Sequence, residues 1–428
     1  MASLDLAFVR ASFPAVSESR FVYADNAGGS QCLGSVVSRI SDYLLHTNVQ
    51  LGADYSVSVA STSRVNDGIE AARELLNAAS VDEVAFGSSS TMLAENLARA
   101  LDGDILDDEE IIITGEHEAN GGPWKKIAAR RNLTLNYWHA RPGFYNANNP
   151  YSVSLQIDDV LPLISPKTRI VTFTACSNIL GTIVPVKEAV RAIRKRAAEL
   201  GVRKLEVCVD CVAYAPHRRI DVQDWDVDYC FFSVYKVYGP HIAVLYARAA
   251  SLQDSVSSLS HHFLDVKTKS YKLQPGGPGY ELVYACTGVT AYLKSLSVTH
   301  TIEATFELIK EHEQGLIARL LMFLRSDWCT RRGVRIVGDH SIGPARVPTI
   351  SFVVIGDRAI RSQDIVKAFD QQGDIGIRYG HFYAYTLIDH LEPKIDVSDA
   401  VVRISLVHYN TVEDVERIIS VLSAQLMA

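Results

Sequence analysis

Between about residues 80 and 245, short β-branched and apolar runs alternate with longer segments of helical periodicity, and that alternation leaves few folds open. The candidate strands are EVAFG (83–87), EIIIT (110–114), RIVTFT (169–174), KLEVCVD (204–210), YCFFSV (229–234) and AVLYAR (243–248). Between them lie LAENLARAL (93–101), GPWKKIAARRN (122–132) and VKEAVRAIRKRAAEL (186–200), the last with apolar or small residues at helical spacing and a basic outer face. Strand–helix alternation of this kind predicts an α/β fold with a mainly parallel, doubly wound sheet and helices on both faces. The last two strands, joined by the short YKVYGPHI link, are expected to form a hairpin at the sheet edge.

After about residue 290 the pattern changes. A long helix over TIEATFELIKEHEQGLIARLLMFLR (301–325) leads to RIVG, VPTISFVVI, RSQDIVKAFDQQG, VVRISL and a closing helix VEDVERIISVLSAQL, which reads as a smaller α+β unit. The expected organisation is an N-terminal arm (1–22), a large unit (23–290) and a small C-terminal unit (291–428), which suits a chain of 428 residues. The formal charge of −7 supplies no basic excess for binding nucleic acid. No apolar run approaches the ~18–20 residues needed to cross a bilayer. The N-terminal MASLDLAFVRASFPAV has neither a signal nor a transit pattern, and the seven scattered cysteines fit reduced thiols, so a cytoplasmic location is expected. Cys208 and Cys211 straddle the end of a strand, where alternation sends them to opposite faces and makes them core residues. His261 and His262 are adjacent, without the spacing of a metal site.

Ligands of open α/β sheets collect beyond the carboxyl ends of the strands, so the residues following each strand matter most. The first strand is followed by GSSSTMLAEN, where Ser90 and Thr91 open a helix as either a phosphate cradle or ordinary caps. Then come His117 in GEHEAN, Asn178 in CSNILGT, Asp210 at a strand end, and Ser233 with Lys236 in FFSVYKVYGPH. Lys236 is wrapped in apolar and aromatic side chains. It either snorkels to the surface, or it is buried and must be paired, deprotonated or covalently used. Singly each residue has a structural reading; together they supply a phosphate site, an imidazole, an amide, a carboxylate and an amine. Pyridoxal 5′-phosphate needs all of these. Its aldehyde forms a Schiff base with a lysine, its ring nitrogen needs a carboxylate, and its phosphate needs a dipole-rich pocket. Burial also lowers an amine's pKa from about 10.4 towards neutrality. Lys236 is therefore read as the Schiff-base lysine.

An ordered set of motifs carries a resemblance along nearly the whole chain: YADNAGGSQ (23–31), GEHEANGGPW (115–124), CSNILGT (176–182), VDCVAYAPH (209–217), SVYKVYGPH (233–241), PGGPGYE (275–281), GIRYGH (376–381) and VVRISL (401–406). The chain resembles the class V aminotransferase family of fold-type I pyridoxal-phosphate enzymes, in its cysteine desulfurase-like and isopenicillin N epimerase-like branch. The resemblance implies that Lys236 moves the Cα proton, that Asp210 pairs with the pyridinium, that His117 stacks on the ring and assists proton transfer, and that Asn178 bonds the ring hydroxyl. Ser233, Ser90 and Thr91 would hold the phosphate, with Tyr235 where relatives often carry histidine. Arg403 would grip the substrate α-carboxylate bidentately, with Asn26 nearby. A homodimer is implied, with active sites at the interface and the segment around Gly276 and Gly277 reaching across.

The departures bear on the reaction. Desulfurases of this branch carry a persulfide-forming cysteine just after the Arg-x-Gly-His segment. Here the stretch is RYGHFYAYT, the corresponding residue is Tyr383, and no cysteine lies between 330 and the C-terminus. Cys329, at a helix end, is a poor substitute. Ala213 stands where relatives often place a polar side chain near the ring, and Gly277 where a threonine often contacts phosphate. Tyr379, Tyr383 and Tyr385 are read as lining the entrance. The expected function is removal of an amino acid's Cα proton through a quinonoid, then direct C–S β-elimination without a persulfide cysteine. The alternatives are an epimerase or a carbanion-trapping, C–C bond-forming cyclase of specialised metabolism, or a non-catalytic cofactor-binding relative.

Overall fold

Every residue of the segment Thr168–Thr174 is buried, as expected of a central parallel strand covered on both faces. The computed structural model describes residues 3–143 and 149–427. Within them this segment is an interior strand of a seven-stranded sheet, next to its middle strand. Its strands are β1 (Val84–Gly87), β2 (Glu110–Thr114), β3 (Thr134–Trp138), β4 (Thr168–Thr174), β5 (Glu206–Asp210), β6 (Tyr229–Ser233) and β7 (Ala243–Ala247), in the order β1-β7-β6-β5-β4-β2-β3. Only β7 runs against its neighbours. The β6–β7 hairpin is present but is not the edge: β1 pairs antiparallel along the outer side of β7. A strand as apolar as AVLYA, buried at all five positions, needs cover on both sides, which an edge does not give. At the opposite edge β3 (TLNYW) escaped the apolar-run criterion because it is mostly half-exposed.

Alternation along the strands feeds two cores. Val171 and Phe173 of β4 enter one hydrophobic cluster and Ile170 the other. Cys208 and Cys211 divide in the same way, and Cys211 lies 3.3 Å from the Cys230 sulfur. The first cluster is covered by α1 (Gly34–His46), α2 (Ser56–Leu76), α5 (Val186–Glu199) and α6 (Tyr280–Ser295). The second lies under α3 (Ser90–Leu101) and α4 (Glu118–Arg131). Helix α5 shows how the pattern works: Val186, Ala189, Val190, Ile193 and Ala197 are buried at helical spacing and its charged residues face out. Helices α2 and α6 meet at Gly68, where a Cβ would sit 2.1 Å from the Val283 carbonyl oxygen.

The long helix α7 (Ile302–Leu324) leads to a four-stranded antiparallel sheet of β8 (Val334–Val337), β9 (Thr349–Val354), β10 (Arg378–Gly380) and β11 (Val401–Ser405), in the order β8-β9-β11-β10. Helices α8 (Ser362–Gly373) and α9 (Val412–Met427) share its hydrophobic cluster. The chain start is drawn into this sheet, with Val22–Tyr23 pairing with Ile375–Gly376 and Asp25 bridging to Ser405. Among the described residues no helix is long and apolar enough to cross a membrane.

Phe13 of the expected N-terminal arm is fully buried, edge-on to Tyr238, Tyr292, His408 and Tyr409. Tyr238 donates its one hydroxyl proton to the Pro216 carbonyl at 2.8 Å, so its oxygen accepts from His408 Nδ1 at 3.0 Å. His408 Nε2 then accepts from the Tyr292 hydroxyl at 2.6 Å, which makes the imidazole neutral. Burial, aided by His312 and His217, lowers its pKa to about 3. Between that value and the ordinary value near 6.5 the unfolded chain binds the extra proton, so this contribution is complete above about pH 6.5 and fades as pH falls. Between pH 6 and pH 4 we expect wild-type unfolding free energy to fall more steeply than that of His408→Gln, by about 1.4 kcal/mol per pH unit in urea titrations.

Candidate active site

The carboxyl ends of β2, β4, β5 and β6 open onto a cavity of about 520 Å³ lined by His117, Asn178, Asp210 and Lys236. Lys236 ends a single 3₁₀ turn (Val234–Lys236) directly after β6. At 7% exposure it does not snorkel. Its Nζ donates to the Ala27 carbonyl at 2.7 Å. Burial, followed by the charge of Arg403, lowers its pKa to about 8, and Asp210 and Asp25 limit the drop. Asp210 is the last residue of β5, and its Oδ1 accepts the Val212 amide at 2.9 Å. Burial raises its carboxyl to about 6, against the pull of that amide and of Lys236.

His117 caps α4: Nδ1 accepts the Ala119 N–H at 3.1 Å and starts the helix at Glu118, ahead of the pattern seen in the sequence. The ring proton therefore sits on Nε2. Burial, with the charges of Lys236 and Arg403, lowers the pKa to about 4, so the ring is neutral at physiological pH. Asn178 Nδ2 donates to the Phe382 carbonyl at 3.0 Å, while its buried Oδ1 has no partner among the described residues. Ser233 and Ser90 place their hydroxyls 3.0 Å apart at the start of α3, where Ser89 caps the Met92 amide. Thr91 and Tyr235 also line the cavity, and Tyr235 is stacked on His241 with ring centres 5.0 Å apart.

Tyr383 reaches the cavity from the loop after β10, its ring centre 5.5 Å from that of His117. Phe382 and Tyr383 both have left-handed backbones (φ 47° and 62°), a conformation costly for bulky side chains. The Glu118 amide bonds the Tyr383 carbonyl at 2.9 Å and holds that loop. Tyr379 does not line the cavity; its hydroxyl accepts from Gln363 at 2.9 Å, and Tyr385 is half-exposed.

Three sequence candidates lie elsewhere. Arg403, on β11, is buried behind the cavity wall: Nη2 bonds Asp25 Oδ1 at 2.9 Å, Nη1 bonds the Asn178 carbonyl at 3.2 Å, and the Phe382 ring lies 3.7 Å from the guanidinium. Its Nε has no partner among the described residues, and burial brings its pKa down to about 10. Asn26 is engaged at both ends of its amide, donating to Tyr23, Ser405 and Asn410 and accepting from the Tyr409 hydroxyl. It is a strut between the chain start and β11. Gly277 lines a separate cavity of about 550 Å³ with Gln50 and Tyr280.

The structure adds residues that the reading of strand ends missed. Asp25 and Phe382 stood inside quoted motifs, but nothing local links either to Arg403. Glu116, beside His117, is a buried carboxyl bonded to Ser177 at 2.7 Å. Cys176 is the one thiol lining the cavity among the described residues, and burial pushes it well above the ordinary thiol range.

This donor set fits pyridoxal 5′-phosphate. Lys236 could take the aldehyde, Asp210 the ring nitrogen, and the Ser90–Ser233 hydroxyls at the helix start the phosphate. The unpartnered Asn178 Oδ1 offers an acceptor for the ring hydroxyl.

Comparison with known proteins agrees. The family model Aminotransferase class-V matches residues 22–418. The Aminotransferase-like protein FGM3 of Gibberella zeae is 40% identical over 423 residues, covering 97% of each chain. The Cysteine desulfurase-like protein ustD of Aspergillus flavus is 31% identical, covering 96% of this chain and 88% of its own. A cysteine desulfurase from Thermococcus onnurineus NA1 shares the fold with a TM-score of 0.82 at 20% identity, over 100% of this chain and 99% of that one. The protein thus belongs to the class V aminotransferase family of pyridoxal-phosphate-dependent enzymes, on its cysteine desulfurase-like side.

Proposed function

We propose that the protein is a pyridoxal-phosphate-dependent lyase that removes the Cα proton of a small amino acid and expels a sulfur leaving group from Cβ directly. One observation carries the reading. The Lys236 amine and the Asp210 carboxylate face one cavity, and among the described residues no thiolate is poised there to receive sulfur, since burial keeps Cys176 protonated. When bound, the cofactor supplies an aldehyde for the substrate amine and a ring that takes up the electron pair left at Cα.

The chain's own groups do the rest. Lys236, with its pKa lowered to about 8, is partly neutral near physiological pH and can accept the Cα proton. Asp210, by remaining ionised, would hold a proton on the cofactor's ring nitrogen. His117 resists protonation, so it would pack against the cofactor ring as a neutral imidazole and donate from Nε2. Arg403 grips the α-carboxylate, which takes the place of Asp25 on Nη2. The C–S bond breaks with its electron pair on sulfur, and the released enamine hydrolyses to pyruvate and ammonia. A cytoplasmic homodimer belongs to the same reading, with a second copy presenting its Gly276–Gly277 segment to the cavity. So does division into an arm (1–22), a large unit (23–290) and a small unit (291–428).

Tyr383 supports a second reading. Its ring beside His117 puts a phenol on the cavity where a desulfurase would carry its thiol. That phenol suits an epimerase, or an enzyme that traps the Cα carbanion with an electrophile to form a C–C bond.

Replacing Lys236 by Ala is expected to abolish both the visible absorbance of the protein-bound cofactor and all turnover; retained turnover would refute the assignment. Arg403→Lys should keep that absorbance while raising KM at least about tenfold, the worth of one charge-assisted hydrogen bond. In D₂O with L-cysteine, its S-conjugates and other amino acids, mass spectrometry should find pyruvate, ammonia and a released thiol. Deuterium at Cα of recovered substrate without elimination would favour the second reading instead.

A further inference from the structure

Behind the cavity, two loops are tied by residues that do not face the substrate space. Glu116 immediately precedes His117, and Ser177 immediately precedes Asn178. The Ser177 hydroxyl oxygen accepts the amides of Ile179 and Leu180 at 3.3 and 3.1 Å, so its single proton goes to Glu116 Oε2 at 2.7 Å. The same serine closes the turn through backbone bonds with Gly181 and Thr182. Glu116 is 4% exposed, its Oε1 has no partner, and among the described residues no cation comes within ion-pair distance of it. The titratable groups around it are Asp210 at the end of β5, Cys176 on the loop after β4, and neutral His117. A charged carboxylate here would be buried and unpaired, with the charge of Asp210 adding to the cost, so the neutral form is favoured.

We propose that Glu116 is a positioning residue acting as a neutral acid, locking the His117 loop to the Asn178 turn through Ser177 and leaving Asp210 as the charged carboxylate that would pair with the cofactor's ring nitrogen. Burial, with Asp210 adding to it and the Ser177 hydroxyl opposing, raises the Glu116 carboxyl to about 7. Asp210 reaches only about 6, because the Val212 amide and Lys236 favour its charge. Asp210 has an amide and a cation that favour its charge, whereas Glu116 has only the Ser177 hydroxyl, so of the two it is Glu116 that holds the proton.

The inference rests on the cofactor reading above, and two experiments separate the two. In cofactor-free protein, Glu116 binds its proton more tightly folded than unfolded. Its stabilisation is complete below the ordinary glutamate pKa of about 4.3 and is lost as pH rises through about 7. The melting temperature of Glu116→Gln should therefore decline less than that of wild type between pH 5 and pH 7.5; parallel curves would overturn the neutral acid. In titrations of cofactor-free protein with pyridoxal 5′-phosphate, Glu116→Gln should keep an affinity within about twofold of wild type. Ser177→Ala and Glu116→Ala should each weaken it about tenfold, and their double variant no further, since both cut one link. A glutamine variant as weak as the alanine one would overturn the proposal, as would unchanged affinity in Ser177→Ala. Absence of Lys236-dependent absorbance in the wild type would defeat the cofactor reading and leave the melting result standing.

Discussion

Lys236 reaches the carbonyl of Ala27 at 2.7 Å, and the position of that carbonyl depends on the second sheet. The Ala27 amide bonds Ser405 Oγ at 2.9 Å, Asn26 bonds the Ser405 carbonyl, and Ser405 donates its own amide to Ala24. The chain start is in this way held to β11 and presented to an amine standing at the end of β6. A buried ammonium needs an acceptor, and this one arrives only once both sheets are formed. The polar arrangement of the cavity thus depends on the hydrogen bonds that tie the chain start to β11.

Electrostatics at the site follows from that burial. Burial and then the charge of Arg403 lower the Lys236 pKa, and His117 is kept neutral by burial and then by both cations. Asp25 answers Arg403, and Asp210 answers Lys236. Asp25 acts on both cations, and among the described residues Glu116 has no cation within ion-pair distance. The Phe382 ring against Arg403 strengthens the effect by excluding water from the ion pair.

The parallel core of the sheet was legible because its strands are buried on both faces and read as unbroken apolar runs, as RIVTFT does. TLNYW was not, since a half-exposed edge strand carries polar residues that a run-based criterion rejects. The edge position assigned to the β6–β7 hairpin failed for a related reason. Strand order is set by which apolar surfaces find cover, and nothing in AVLYA names β1 as its outer neighbour. At the site, His117, Asn178, Asp210 and Lys236 follow strands, so one topological rule gathers them. Asn26 and Arg403 are not ordered by that rule. Asn26 is engaged by Tyr409, and Arg403 by Asp25, each hundreds of residues away along the chain.

What the sequence by itself determined is the periodicity of its elements and the chemistry at the strand ends, because both are written in neighbouring residues: an apolar run, a capping hydroxyl, a lysine among aromatics. Only the tertiary structure decided the protonation and freedom of those groups. Whether Lys236 snorkels, whether His117 is charged, and whether Arg403 stands open or clasped by Asp25 are questions of solvent access and of partners distant in sequence. Desolvation and Coulomb energies depend on distances through space, and these exist only after the two sheets have closed on each other.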